Sequence, residues 1–317
     1  MTVVVPTWNS ARWLPGCLAA LRAQTLEPEE VLVVDSASTD GTIEALGEGG
    51  SVRWLALSAN HGFAAAANAG WRSARTPWVA LLNPDTAPEA GWLRALAEAL
   101  AASDARVWAI ASKMLRMVDP DVVDDAGDSL TRFGAAVKRG HGEPERSWCE
   151  ADDVLSPCAG AALYRRDVLE ASVASTRLGA IWKTWISGCS APRGLALPPR
   201  AEARVLHQGG GSGLPRPHYV RLVTCNRLLL LLKDLPARLL VRHSLRLLRG
   251  QLYFLLAYHR PLASLQGYLR FLRLLPHTLR ARRQVQGARR VAVEEVDGWL
   301  LRERGTPPLR SLLRRPG

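Results

Sequence analysis

The sequence predicts an α/β protein: a mostly parallel, Rossmann-like sheet covered by helices in residues 1–214, then a basic helical region in residues 215–317. Three observations carry that prediction. Over the first 112 residues, short apolar runs alternate with helical periods, as in strands joined by crossover helices. From residue 215 the pattern is helical, broken at Pro236, Pro261 and Pro276. The net charge of +12 is also uneven: −6 over residues 1–150, +2 over 151–214 and +16 over 215–317. Apolar residues make up 48% of the chain, which supports a packed core and excludes wholesale disorder.

Each element has its own signal. Residues 3–6 are an apolar run and read as a strand; residues 11–24 space Leu14, Leu18 and Leu21 at helical intervals. Residues 30–34 form a strand ending in Asp35, and 42–46 a short helix. Residues 52–57 are a strand, 63–74 a helix, and 78–82 a strand that ends at Asn83-Pro84-Asp85. A helix over 89–101 and a strand over 107–112 follow. Residues 113–170 read as less regular, with turn signals at Pro120, Gly127, Gly134 and Gly140.

The five cysteines are odd in number and show no CxxC spacing, which argues against a disulfide scaffold or zinc ribbon and fits a reducing cytosol. The N-terminus lacks a basic stretch before its apolar run, so no signal peptide is expected. No apolar run reaches the roughly 18–20 residues of a spanning helix. The basic last third instead suggests an anionic surface, either nucleic acid or the cytoplasmic face of a membrane. It carries no recognisable nucleic-acid motif, and its leucine content favours the membrane. Arg238, Arg242, Arg246 and Arg249 are spaced to line one helix face, as in a helix lying in the interface; the alternative is a packed helix with a solvated arginine face.

In parallel sheets ligands bind beyond the carboxyl ends of strands, and Asn9, Asp35 and Asp85 all fall there. A carboxylate at the position of Asp35 can accept from a nucleobase imide. Asp40, in an Asp-Gly turn, either joins it or caps the next helix. Asn60-His61-Gly62-Phe63-Ala64 leads into a small-residue helix carrying Asn68 and Gly70. Its N-terminus either favours a phosphate or simply packs tightly. Asp85, closing an apolar strand, suits Mg²⁺ or Mn²⁺ bridged to a diphosphate, although Asn-Pro is also an ordinary turn. His207, before Gln208-Gly209-Gly210-Gly211-Ser212, reads as a further metal or phosphate ligand or as a capped strand end.

Six segments in order resemble glycosyltransferase family 2, in its bacterial rhamnosyltransferase-like branch. They are Val3-Val4-Val5-Pro6-Thr7-Trp8-Asn9-Ser10, Val34-Asp35-Ser36-Ala37-Ser38-Thr39-Asp40-Gly41, Asn60-His61-Gly62-Phe63-Ala64, Asn83-Pro84-Asp85, Cys158-Ala159-Gly160-Ala161 and His207-Gln208-Gly209-Gly210-Gly211-Ser212. The resemblance implies a GT-A fold, a nucleoside-diphosphate-sugar donor and a divalent metal, Mg²⁺ or Mn²⁺. Asp35 would read the base. Pro6, Thr7, Asn9, Asp40, Asn60, Gly62, Asn68 and Asn83 would line the donor pocket, and Asp85 and His207 would hold the metal. The implied reaction is inverting transfer of rhamnose or another deoxyhexose to a glycan or polyprenyl-linked acceptor. It would serve cell-envelope polysaccharide synthesis on the cytoplasmic face, with an anionic membrane surface and no nucleic acid as partner.

Such a reaction needs a base for the acceptor hydroxyl, most simply a carboxylate held in reach. In the resembling family it lies in a Glu-Asp-x-Asp-Leu-like segment before the glycine loop. Here residues 171–201 contain no Asp or Glu. Only four of 41 basic residues are Lys, which points to GC-rich codons. Read one base out of register, Trp182-Lys183 must give Glu and Trp185-Ile186 must give Asp, and the stretch can spell Glu-Asp-Val-Asp-Leu. Residues 172–200 therefore read as a frame-shifted insert, from a sequencing error or a decaying gene. The alternatives are a divergent loop, a chain that binds donor without catalysis, or a basic nucleic-acid-binding protein.

Overall fold

The computed structural model describes residues 1–46, 52–103, 107–148, 154–173, 195–196, 203–209, 214–287, 289 and 291–301. They form two compact units, Met1–Asp128 with Lys138–Ser212, and Ser129–Val137 with Gly213–Gly317. The chain runs β1 (Thr2–Thr7), α1 (Leu14–Arg22), β2 (Glu30–Asp35), β3 (Val52–Ala56), α2 (Phe63–Ser73), β4 (Trp78–Leu82), β5 (Thr86–Pro88) and α3 (Trp92–Ala102). Then come β6 (Ala109–Ala111), β7 (Lys113–Arg116), β8 (Asp119–Asp125), β9 (Asp128–Leu130), β10 (Ala136–Lys138), β11 (Ala161–Arg165), α4 (Arg166–Val173), β12 (Leu195–Ala196) and β13 (Arg204–His207). The helical region holds α5 (Arg216–Asp234), α6 (Ala237–Arg242), α7 (Ser244–Ala257), α8 (Pro261–Gly287) and α9 (Val293–Trp299).

The main sheet of the first unit has the order β12-β6-β11-β4-β1-β2-β3. β3, β2, β1 and β4 are parallel, the α/β arrangement that the alternating pattern predicts. β1 lies inside the sheet between β4 and β2 and is buried along its whole length, so it reads as a continuous apolar run rather than an alternating one. Its period of two still sorts the layers. Val3 and Val5 face Leu14 and Leu18 of α1 and Leu93 of α3. Val4 faces Ala66, Ala67 and Trp71 of α2.

Gly70 on α2 shows how close that second layer sits, because a Cβ there would collide with Val4 Cγ1. Part of the small-residue character of this helix is therefore packing. Gly70→Val should cost about 1–3 kcal/mol by overpacking. An unchanged midpoint in urea unfolding would show that the helix does not press on β1.

Residues 113–170, read from sequence as irregular, contain an inserted strand of the main sheet, β11, two strands of a second sheet, β7 and β8, and the β9–β10 pair. β11 lies antiparallel between β4 and β6. The second sheet has the order β5-β13-β7-β8. Its strands are short, and β7–β8 pairing slips register at Met114/Leu115 and Leu115/Arg116, which destroys any two-residue period.

In the second unit α8 packs along α5, and α6 to α9 complete the helical region. Among the described residues no helix is long and apolar enough to cross a membrane. The single arginine-lined helix expected over 238–249 is corrected: it breaks at His243, between α6 and α7. Asp297 of α9 draws the break inward, meeting His243 Nε2 at 2.6 Å and Arg242 Nη1 at 3.0 Å. Arg242 is thus a brace within the unit rather than a free surface cation.

Candidate functional site

The carboxyl ends of β1, β2 and β4 supply the first group of candidate residues. Asp35 ends β2 and is 1% exposed. Thr7 Oγ1 donates to its Oδ1 at 3.1 Å, Ser38 Oγ donates to the same oxygen at 2.5 Å, and Ser38 N donates to Oδ2 at 2.9 Å. Asn9, with a left-handed φ of 50°, ties the neighbouring loop. Its N–H donates to Ser38 Oγ and its Oδ1 accepts from Thr39 N. Pro6 is paired to Val34 in the sheet beneath.

Asp40 lies at the outer edge of this group. Its oxygens accept from Ala11 N, Thr42 N and Thr42 Oγ1. Burial pushes its carboxyl up, but the hydrogen bonds from Thr42 and Ala11 outweigh it and leave it below the usual range. Its contacts are those of a loop brace.

Asn60 Oδ1 accepts from Gly62 N at 2.8 Å. Gly62, at φ 87°, turns the chain into α2 without a side-chain cap. Asn68 sits further along α2, its Oδ1 accepting from the Trp71 indole at 3.2 Å.

The second group gathers around His207. β5 and β13 pair antiparallel with Thr86 opposite His207, which brings the imidazole beside Asp85. His207 Nε2 is 3.5 Å from Asp85 Oδ2. The other ring nitrogen, Nδ1, is 2.8 Å from Asp124 Oδ2. Asp124 comes from β8, two strands from β13, and also takes Lys138 Nζ at 2.8 Å. Burial lowers the imidazole's proton affinity, but the bonds to Asp124 and Asp85 outweigh it and lift His207 to about 9. Burial also pushes Asp124 up, and the contacts with His207 and Lys138 bring it far below the carboxylate range.

Asn83 adds an oxygen to the turn below Asp85. Its N–H donates to Gly160 O at 2.8 Å, and its side-chain Oδ1 is buried with no hydrogen-bond partner. A Cβ at Gly160 would lie 3.3 Å from Asn83 Nδ2, so the glycine makes room for this amide.

The donor set fits a divalent ion. Both ring nitrogens face carboxylates. On loss of the Nε2 proton, with Nδ1–H still donating to Asp124, the Nε2 lone pair would be turned toward Asp85, the carboxylate–histidine arrangement that orients a metal-binding imidazole. An imidazole nitrogen beside carboxylate oxygen suits Mn²⁺ better than Mg²⁺. Among the described residues no group of three or more His, Cys, Asp or Glu is placed to hold a metal ion.

Asp124 is the residue that sequence reasoning missed. We expect Asp124→Ala to weaken Mn²⁺ binding about 10–100-fold, the range for outer-shell partners. Asp124→Asn should recover much of it, because the amide oxygen still accepts from Nδ1–H. Electron paramagnetic resonance of free Mn²⁺ measures both, and equal affinity in all three proteins would refute the role.

The base-bearing stretch expected within 171–201 lies outside the described residues apart from the backbone of 171–173 and 195–196. Of the glycine loop, Gly209 is described, and residues 210–213 fall outside as well.

The model of the family described as Glycosyl transferase family 2 matches residues 2–172, more than half of the chain. The chain belongs to glycosyl transferase family 2. The matched span carries every candidate donor residue and Asp85, while His207 lies beyond it. The chain is 33% identical over 138 residues to the succinoglycan biosynthesis protein ExoO of Rhizobium meliloti (strain 1021), covering 43% of this chain and 37% of that protein. It is 29% identical over 200 residues to an uncharacterised glycosyltransferase of Nostoc sp., covering 60% of this chain and 57% of that one. The matches therefore span about a third to somewhat over half of these relatives' lengths. In fold, the family 2 chain resembles S. aureus TarS 1-349 in complex with UDP-GlcNAc, with TM-score 0.51, 17% identity, and 94% and 83% of the two chains covered. The fold is GT-A.

Proposed function

We propose that this chain is an inverting glycosyltransferase of the rhamnosyltransferase-like branch, moving a sugar from a nucleoside-diphosphate donor, with transfer impaired by loss of its catalytic-base segment. Its donor would be a deoxyhexose such as rhamnose, and its acceptor a glycan or polyprenyl-linked sugar at the cytoplasmic face of the membrane. The observation that carries the reading is the convergence of Asp85 and Asp124 on the two nitrogens of His207, together with the buried Asp35 at the end of β2.

Asp35, oriented by Thr7 and Ser38, accepts from the base. Pro6, Asn9, Asn60, Gly62, Asn68 and Asn83 line the donor's path, with Asp40 bracing the loop. Asp85 and His207 would hold Mn²⁺ or Mg²⁺, which would supply positive charge to neutralise a diphosphate. His207 must give up its Nε2 proton to take that part, and Asp124 keeps the ring turned toward Asp85 when it does. The absence of Asp and Glu from residues 171–201 supports a second element: donor binding persists while transfer is impaired. The basic residues after 215 support peripheral attachment to the inner face of the membrane.

A thermal-shift panel of nucleotide sugars, each with Mg²⁺ or Mn²⁺, tests the reading. A metal-dependent rise in melting temperature is expected for one donor class. No rise with any of them would overturn it.

A further inference from the structure

Two helices of the helical unit turn leucine stripes outward. α8 buries Ala263, Ser264, Gly267, Thr278, Ala281 and Val285, mostly small or polar residues at helical spacing. Gly267 is where it meets α5: a Cβ there would come within 2.8 Å of Arg221 O and Thr224 Cβ. The leucines of the same helix face outward. Leu262, Leu265, Leu269 and Leu272, spaced three, four and three apart, are 75%, 52%, 48% and 56% exposed. A water-soluble helix ordinarily does the reverse, turning its apolar stripe to the core. Small residues between helices with leucines outside is the arrangement found where the surroundings are apolar.

α7 repeats the pattern. Leu245, Leu248 and Leu252 recur at three and four residues and are exposed, and Gly250 is the residue it buries. On both helices an exposed arginine follows a stripe leucine by one position, about 100° further round. Arg246 and Arg249 do so on α7, and Arg270 and Arg273 on α8. Between residues 235 and 287 there are ten arginines and no Asp or Glu. The surface here is thus apolar stripes edged by arginines, in a stretch with no acidic residue of its own. A second copy of this chain would bring the same charge against itself, whereas an anionic bilayer complements it.

We propose that the exposed leucine stripes of α7 and α8 insert into the interfacial layer of an anionic lipid membrane, with the adjoining arginines on its headgroups. This rests on the membrane-attached reading above and assigns its surface to the leucines rather than to the arginine row of 238–249.

The test is co-sedimentation of the full chain with vesicles of phosphatidylglycerol and phosphatidylcholine, and with phosphatidylcholine alone. Wild type should bind the anionic vesicles preferentially. Leu245→Ser/Leu248→Ser and Leu265→Ser/Leu269→Ser should each lose about tenfold or more in partition, given the apolar area removed. These positions are exposed, so the thermal melt should be unchanged. Leu248→Trp, which keeps an apolar side chain suited to the interface, should bind at least as well as wild type. Wild-type binding with undiminished serine variants would overturn the leucine surface and leave membrane attachment standing. No wild-type binding to anionic vesicles would overturn both. A dimer in analytical ultracentrifugation that the serine variants dissolve, without vesicle binding, would assign the stripes to a second copy instead.

Discussion

Asp85→Ala is expected to abolish metal-dependent donor binding while leaving the fold intact. Among the described residues Asp85 is the carboxylate facing His207 Nε2, at 3.5 Å; the other carboxylate on the ring, Asp124, is committed to Nδ1 and Lys138. Without Asp85, the imidazole would be left as the single protein ligand on that side. Loss of an outer partner typically costs 10–100-fold, so loss of the anionic ligand should cost on the order of 100-fold or more in Mn²⁺-dependent nucleotide affinity. The local backbone does not depend on the carboxylate, because Asp85 O accepts from Gln208 N at 3.0 Å and Thr86 is paired to His207. Isothermal titration of the nucleotide sugar, with and without Mn²⁺, decides the matter. If the increment due to Mn²⁺ is the same in wild type and mutant, Asp85 is not the ligand. His207→Ala should produce a similar loss, and the double mutant little more, since the two groups act on one ion.

Half of this site was legible in the sequence for a physical reason. β1, β2 and β4 lie inside a parallel sheet and are buried on both faces, so their apolar runs stop abruptly where the chain emerges. Asn9, Asp35 and Asp85 stand out at those stops. Asp124 has no such contrast. It follows Asp119 and Asp121 in an acidic stretch that looks like a solvated turn. Only long-range pairing, β7 with β8 on one side and β13 on the other, turns it toward His207. β11 escaped notice for a related reason: a five-residue strand set antiparallel among parallel neighbours leaves no alternating strand–helix rhythm.

The helical region was legible in class and partly misread in detail. Spacings of four, four and three from Arg238 to Arg249 are correct for one helix face, but spacing cannot reveal a break. His243, drawn to Asp297 more than 50 residues away, interrupts the helix. Periodicity also assigns a leucine stripe to a core by default. It takes the small residues at the α5–α8 contact, above all Gly267, to show that the stripe faces outward.

Restoring the shifted register over residues 172–200 is expected to recover glycosyl transfer. The residues that would hold the donor, Asp35, Asp85, Asn83 and His207, all lie outside that segment, so binding should be alike before and after the change. The acceptor side differs, because attack on the anomeric carbon needs a base for the hydroxyl proton, and residues 171–201 have no carboxylate. A positioned general base contributes on the order of 10²–10⁴-fold. The rebuilt chain, carrying Glu-Asp-Val-Asp-Leu in place of the stretch around Trp182 and Trp185, should gain turnover in that range with nearly unchanged donor affinity. Replacing the new acids by their amides should remove the gain while keeping the segment's size and shape. The unaltered chain should show little or no transfer to any acceptor, even with donor bound. Robust turnover by the unaltered chain would place the base elsewhere, and resequencing that finds codons unable to spell the segment would remove the frame-shift account.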